Sequence, residues 1–196
     1  MPNFKMAVPA NFPGSYVAKD GSTYTASGGF IASVSAEDVN DLEAMGCHVV
    51  DETTGLGARC TAQVDRATST TLTDITGLSV PLEAGGTYAI EAVIFGVATA
   101  NGGAKVALAA DSTLTATSCS YRGEHYNTAT LNAASTTTTL GTAVGAATAV
   151  MTCMKIVGTI VVNAAGNLKA QIAQNASHAD TTSAYVNSYM KATRIA

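Results

Sequence analysis

The sequence predicts a mainly β chain, with a C-terminal antiparallel jelly-roll-like β-sandwich behind a small N-terminal α+β domain. Three observations predict it. Short β-prone runs recur between turn residues from Cys60 to Ala196, and helix signals nearly vanish over the same stretch. Hydrophobic residues make up 47% of the chain, enough for a substantial core. Charged residues make up 12%, about half the usual share of roughly 25%. Alanine, threonine, glycine and serine fill the gap, giving a weakly polar surface of the kind that associates readily.

The elements follow in order. Ser15 to Lys19 and Ser22 to Ala26 flank Asp20-Gly21, a two-residue hairpin signal. Phe30 to Val34 reads as a third strand after the break at Gly28-Gly29. Ser35-Ala-Glu-Asp38 reads as a helix start, with Ser35 as N-cap and Asp38 at the capping-box position. Val39, Leu42 and Met45 then share a helical face, Gly46 ends the helix, and Cys47 to Val50 returns as a short strand. This first domain is expected over residues 1–50, a linker over 51–63 and the sandwich over 64–196.

Within the sandwich, strands are expected at Thr70–Thr76, Ser79–Leu82, Thr87–Val97, Ala104–Ala110 and Leu114–Arg122. Further ones are expected at Ala147–Cys153, Lys155–Asn163, Asn167–Gln174 and Ser183–Ile195. Asn101-Gly102-Gly103 and Ala165-Gly166-Asn167 mark tight turns, and Gly166 at positive φ would make the last connection a hairpin. The segment from Ser135 to Ala149 is threonine-rich and of low complexity, and reads as an arm or a surface loop.

Alternation separates the strands. Leu168, Ala170 and Ile172 point one way and Lys169 and Gln171 the other, the pattern of a half-buried strand. From Ile156 to Val162, and from Tyr88 to Phe95 apart from Glu91, both faces are apolar. Two apolar faces imply a second covered surface, either by another copy of the chain or by a loop such as Leu131–Gly145. On the first alternative, Val157, Val161, Val93 and Phe95 line an oligomer interface.

Little chemistry accompanies this pattern. The histidines His48, His125 and His178 lack zinc-hydrolase spacing, and no nucleophile elbow, phosphate loop or calcium loop is present. No catalytic, metal-binding or cofactor-binding residues are therefore expected, and no enzyme. The four cysteines, Cys47, Cys60, Cys119 and Cys153, form no Cys-x-x-Cys pair; they are either reduced thiols or include a disulfide at Cys47 and Cys60, which flank the linker. Net charge is −4, with no basic run, which argues against nucleic acid. No basic segment leads into an apolar run at the N-terminus, so no signal peptide is expected. Tyr126 to Met154 carries no Asp, Glu, Lys or Arg, but the apolar stretch Ala143 to Ala165 holds threonine, glycine, Lys155 and Asn163 and reads as buried strands, not as a membrane span. The densest polar cluster is Arg122-Gly-Glu-His-Tyr126. It is either a solvated loop or a ligand-contact site with Tyr121 and Tyr126 as stacking platforms and Arg122 and Glu124 as polar anchors. Glu124 and His125 are not expected to work as a pair, because strand neighbours point to opposite faces. Tyr185 and Tyr189 are spaced to share a face with Asn187, either as a sugar-binding strip or as packing at the edge of the core.

Ile75-Thr-Gly-Leu78 with Pro81 and Gly85-Gly-Thr-Tyr88, then Ile156-Val-Gly-Thr-Ile160, Gly166-Asn-Leu168, Gln171-Ile-Ala173, Ser188-Tyr189 and Arg194-Ile195, occur in an order that resembles a β-sandwich module of tailed-bacteriophage virion proteins. The resemblance spans roughly Val64 to Ala196. The N-terminal unit, through Asp20-Gly21, Tyr24, Gly29-Phe-Ile31, Asp38-Val39, Leu42 and Gly46-Cys47, is similar to small modules at the front of other phage proteins. The resemblance implies an attachment domain followed by an outward-facing sandwich, on a capsid decoration or head-fibre protein at the capsid surface, made in the host bacterial cytoplasm. It implies the major capsid protein or other virion proteins as partners and a homo-oligomer, with a trimer favoured. A receptor- or glycan-binding fibre or tail component is the alternative.

Overall fold

The computed structural model describes residues 3–9, 11–26, 30–35, 38–49, 56–128 and 130–196. The chain divides into two compact units, Met1–Thr54 and Gly55–Ala196.

In the first unit, β1 (Asn3–Ala7) is the middle strand of a three-stranded antiparallel sheet, between β4 (Phe30–Ser35) and β5 (His48–Val49). Sequence reading missed β1, a five-residue run with a lysine at its centre and little periodic signal. The expected hairpin is present as β2 (Ser15–Val17) and β3 (Thr23–Thr25), with Gly21 at φ +89 in its turn. It places Tyr16 opposite Tyr24, their rings stacked at 6.4 Å. The helix α1 (Val39–Ala44) starts later than expected. Ser35 ends β4, and Asp38 stands at the N-cap without a side-chain capping bond. The Asp38 carboxylate accepts the Tyr24 hydroxyl instead, at 2.8 Å. The C-terminus behaves as expected: Gly46, at φ +82, donates to Glu43 O and Cys47 N donates to Leu42 O, a Schellman stop. Leu42 and Cys47 are buried with Met6, Ile31 and Val34, whereas Met45 lies outside this core and is 39% exposed.

The second unit is a sandwich of two antiparallel sheets. The smaller has the order β13 (Val144–Ala147), β10 (Ala104–Ala110), β15 (Gly166–Ala173), β8 (Thr73–Leu82). The larger runs β12 (Thr130–Thr137), β11 (Thr115–Asn127), β14 (Met151–Ala164), β9 (Thr87–Ala98). The far side of β9 is shared. Its C-terminal end pairs β16 (Thr182–Ala184), which pairs β7 (Val64–Arg66). The rest pairs β17 (Tyr189–Arg194), which pairs β6 (Leu56–Arg59). In the gap between β16 and β17, the buried Ser188 hydroxyl accepts the Phe95 N–H at 3.0 Å, and Tyr185 N–H bonds Phe95 O at 2.8 Å.

Several expectations are corrected. The linker was expected to reach residue 63, but residues 56–59 are a sandwich strand; residues 51–55 lie outside the described ones. The two strands expected within Thr70–Leu82 are one, bent at Gly77 (φ +88), where an added Cβ would meet Arg59 O at 2.5 Å. Those expected within Ala147–Asn163 are also one. The run Ser183–Ile195 is two strands separated by a turn, so Tyr185 and Tyr189 do not form a strip on one strand. The connection at Gly166 is not a hairpin, because β14 and β15 lie in different sheets. Nor is Gly166 at positive φ. It is a glycine because an added Cβ would come within 2.3 Å of Leu114 N. The threonine-rich segment is also ordered, as strand β12 and a pinned turn: Gly141 N–H bonds Leu108 O at 2.7 Å, and the Tyr121 hydroxyl bonds Thr142 O at 2.6 Å.

Alternation fixes the core. Tyr88, Ile90, Ala92 and Ile94 of β9, Met154, Ile156, Ile160 and Val162 of β14, and Leu168, Ala170 and Ile172 of β15 are buried between the sheets. Burial of this size supplies the main stabilisation of the unit, at roughly 25 cal/mol per Å² of apolar surface.

Candidate functional site

The opposite parity of the same strands builds the outer face of the large sheet. Pairing aligns residues far apart in sequence into rows across it. One row is Arg122, Val157, Glu91 and Lys191, on β11, β14, β9 and β17 in turn. The next is Glu124, Lys155, Val93 and Tyr189, and the one beyond it is Leu131, Tyr126, Cys153 and Phe95. The expected interface residues Val157, Val161, Val93 and Phe95 do share this face, all half-buried. Charged side chains lie among them, so the face is mixed and not uniformly apolar.

The polar groups form two linked sets. Glu124 accepts Arg122 Nε at 3.0 Å and the Tyr126 hydroxyl at 2.6 Å. The hydrogen bonds from Tyr126 and then Arg122 hold its carboxyl below the ordinary range, and the same bond to Glu124 raises the Tyr126 phenol. Glu91 accepts the Tyr189 hydroxyl at 3.1 Å and lies 3.7 Å from Lys155 Nζ. Lys191 Nζ stands 5.5 Å over the Tyr189 ring. Partial burial, then Glu91, raises the Tyr189 phenol. Two shallow depressions, of about 330 and 340 Å³, meet at Val157. The first is bordered by Ser120, Arg122, Thr136 and Thr159, the second by Ala89, Glu91, Lys191 and Thr193.

Of the expected ligand-contact residues, Arg122, Glu124 and Tyr126 lie on this face and Tyr121 does not. Tyr121 points into the core, 1% exposed, and its hydroxyl sits among Thr142 O, Thr139 O and Leu108 O. Burial pushes its phenol up to about 12. It is a packing residue with a satisfied polar tip, because odd positions here face inward. Glu124 and His125 do point apart. His125 is buried, with Nε2 3.2 Å from Val150 O and no partner for Nδ1 among the described residues. Cys47 and Cys60 are free thiols, not a disulfide, and each is buried in the core of its own unit. Burial raises both. Sequence reading missed Lys155, Lys191 and the Glu91–Tyr189 pair as site residues. The parity of Glu91 with Val93 places it outward, but nothing in the sequence reveals that Lys191 comes to lie beside it.

Among the described residues, no three His, Cys, Asp or Glu side chains are grouped to hold a metal ion, and no helix is long and apolar enough to cross a membrane. No family model and no curated protein matches the chain. Among solved structures, a chain titled as the structure of infectious bursal disease virus Gt strain aligns at 11% identity and a TM-score of 0.22. The alignment covers 91% of this chain and about half, 50%, of that one; a likeness this low carries no argument.

Proposed function

We propose that this chain is a structural virion protein of a tailed bacteriophage, a capsid decoration or head-fibre protein at the capsid surface. One observation supports it best, beyond the ordered strand motifs. Exposed large hydrophobics gather at one end of the large sheet. Val97 at the end of β9, Val150 before β14, Leu131 at the start of β12, and Tyr185 and Val186 in the turn after β16 are 37% to 52% exposed. The pairing of Ala98 with Met151 and of Tyr126 with Leu131 brings these strand ends together. A concentration of apolar side chains at one end is the mark of a contact surface, where scattered single ones would mean little. The capsid shell and other copies of the chain are its partners in this reading, and a closed symmetric oligomer, a trimer by preference, is the form it takes.

The test is a copy number. Quantitative mass spectrometry of purified particles from a host expressing the chain should find it at a level comparable to the shell protein. A handful of copies per particle would move it to the tail or connector, and its absence from purified particles would overturn the reading. In the same particles, deletion of residues 1–50 should release the chain from the shell, whereas Val97→Asp with Tyr185→Asp should break the contact between copies of the chain.

A further inference from the structure

We propose that Asn101 is a self-modification site, a deamidation switch that Asp180 holds closed. Asn101-Gly102 is the one Asn-Gly pair in the sequence. Asn101 lies exposed in the turn between β9 and β10. A glycine has no Cβ to crowd its own nitrogen and its backbone turns freely, so an asparagine before glycine is the arrangement in which that nitrogen most readily reaches the side-chain amide carbon. The bond formed is Gly102 N to Asn101 Cγ, and the bond broken is Cγ–Nδ2. The Gly102 proton leaves with Nδ2 as ammonia. Water then opens the cyclic imide at either carbonyl, leaving a carboxylate at position 101 on an aspartate or isoaspartate backbone. Water is the sole co-reactant.

In the folded chain both reacting groups are engaged elsewhere. Asn101 Nδ2 donates to Asp180 Oδ2 at 3.0 Å, and Gly102 N–H donates to Thr99 Oγ1 at 3.4 Å. Gly102 is buried against Gln174, whose Nε2 would stand 2.8 Å from an added Cβ. The same Asp180 oxygen accepts the Thr99 hydroxyl at 2.7 Å. Two further bonds tie the turn to the chain leading into β16: Ala176 N–H to Gly102 O at 2.9 Å, and the Thr182 hydroxyl to Gly103 O at 2.7 Å. Attack therefore waits until this clasp opens, and its product cannot close it again. Where Nδ2 donated, a carboxylate oxygen would face the Asp180 carboxylate, and like charges at that separation repel. The hydrogen bonds from Thr99 and then Asn101 hold the Asp180 carboxyl below its ordinary value, so it is charged when the new carboxylate arises. The switch runs one way, and it is independent of the virion reading.

The experiment is incubation of the full chain at 37 °C, at pH 7 and pH 9, with peptide mapping of every asparagine by mass spectrometry. Acid should accumulate at position 101 ahead of every other asparagine, and faster at pH 9, since the attacking nitrogen must lose its proton. Asp180→Ala should raise the rate at Asn101 roughly tenfold, the factor that a lost hydrogen bond to a charged group implies, and leave the other asparagines at their parent rates. The deamidated chain, separated by its added charge, should exchange amide hydrogens faster than the parent across residues 174–182 and not in β14. Asn101→Asp should reproduce that difference at pH 7. Adding Asp180→Asn to it should remove the difference, because a donor and an acceptor then face each other again. Another asparagine reacting first would overturn the proposal. So would equal rates at Asn101 in Asp180→Ala and the parent, or an Asn101→Asp chain whose exchange matches the parent's.

Discussion

Ser188 carries a structural burden that no motif announces. Strand β9 changes partner from β17 to β16 at Phe95, where the Tyr185 N–H bonds the Phe95 C=O but the Phe95 N–H would face no strand. The Ser188 hydroxyl accepts that N–H at 3.0 Å and donates to Phe95 O at 3.2 Å. A buried donor left unpaired costs about 1–3 kcal/mol. Ser188→Ala should therefore lower unfolding free energy by about that much in chemical denaturation, while Ser188→Thr recovers part of it. An equal midpoint for Ser188→Ala and the parent would show that the gap is filled otherwise. Tyr121 carries the complementary lesson. Its position in a polar-looking stretch, Ser120 to Tyr126, suggested a surface, but only parity decides direction on a strand. The same parity correctly turned His125 away from Glu124. Composition misled where alternation did not.

At the scale of elements, the turn after β10 shows how two distant segments are tied. Asp111 accepts Leu114 N at 2.8 Å and Thr113 N at 2.9 Å through one oxygen, and the backbone and side-chain nitrogens of Asn167 at 2.9 Å through the other. The Leu114 bond first, then Asn167 and Thr113, hold its carboxyl far below the usual carboxylate range. A depressed folded-state pKa gives stability that is complete above the unfolded value, near 3.9, and is lost as pH falls from there toward the folded one. Asp111→Ala should lower the melting temperature at pH 7 and leave a smaller gap between variant and parent at pH 2. A gap that stays constant with pH would assign the loss to packing alone. Gly166→Ala should destabilise at every pH, because its Cβ would meet Leu114 N and the Asp111 carboxylate in the same turn. These ties explain which strands were legible. Ala104–Ala110 was read to the residue, since a run apolar but for Lys105, between glycine turns and Asp111, needs no partner to define it. The hairpin at Gly166 was misread because a glycine needed for close approach looks in sequence like one needed for a turn.

For the molecule as a whole, the division at residues 54 and 55 leaves two units of unequal core. The first rests on Met6, Ile31, Val34, Leu42 and Cys47, with the stacked Tyr16 and Tyr24 beside them. The second has an extensive core drawn from both sheets. Units of this size bury a smaller fraction of their surface the shorter they are, so the first should be the less stable. Both units and the helix between β4 and β5 were legible, because hairpin, cap and alternation signals are local. The candidate face was legible only in part: its apolar members and Glu91 follow from parity, but the row that aligns Arg122 with Lys191 depends on pairing between strands far apart in the chain. Differential scanning calorimetry of the full chain should accordingly resolve two transitions, the smaller at lower temperature. Leu42→Ala should move only that first transition, by a loss of about 2–5 kcal/mol, and Ile156→Ala only the second. A single transition shifted by either substitution would mean that the two units unfold as one.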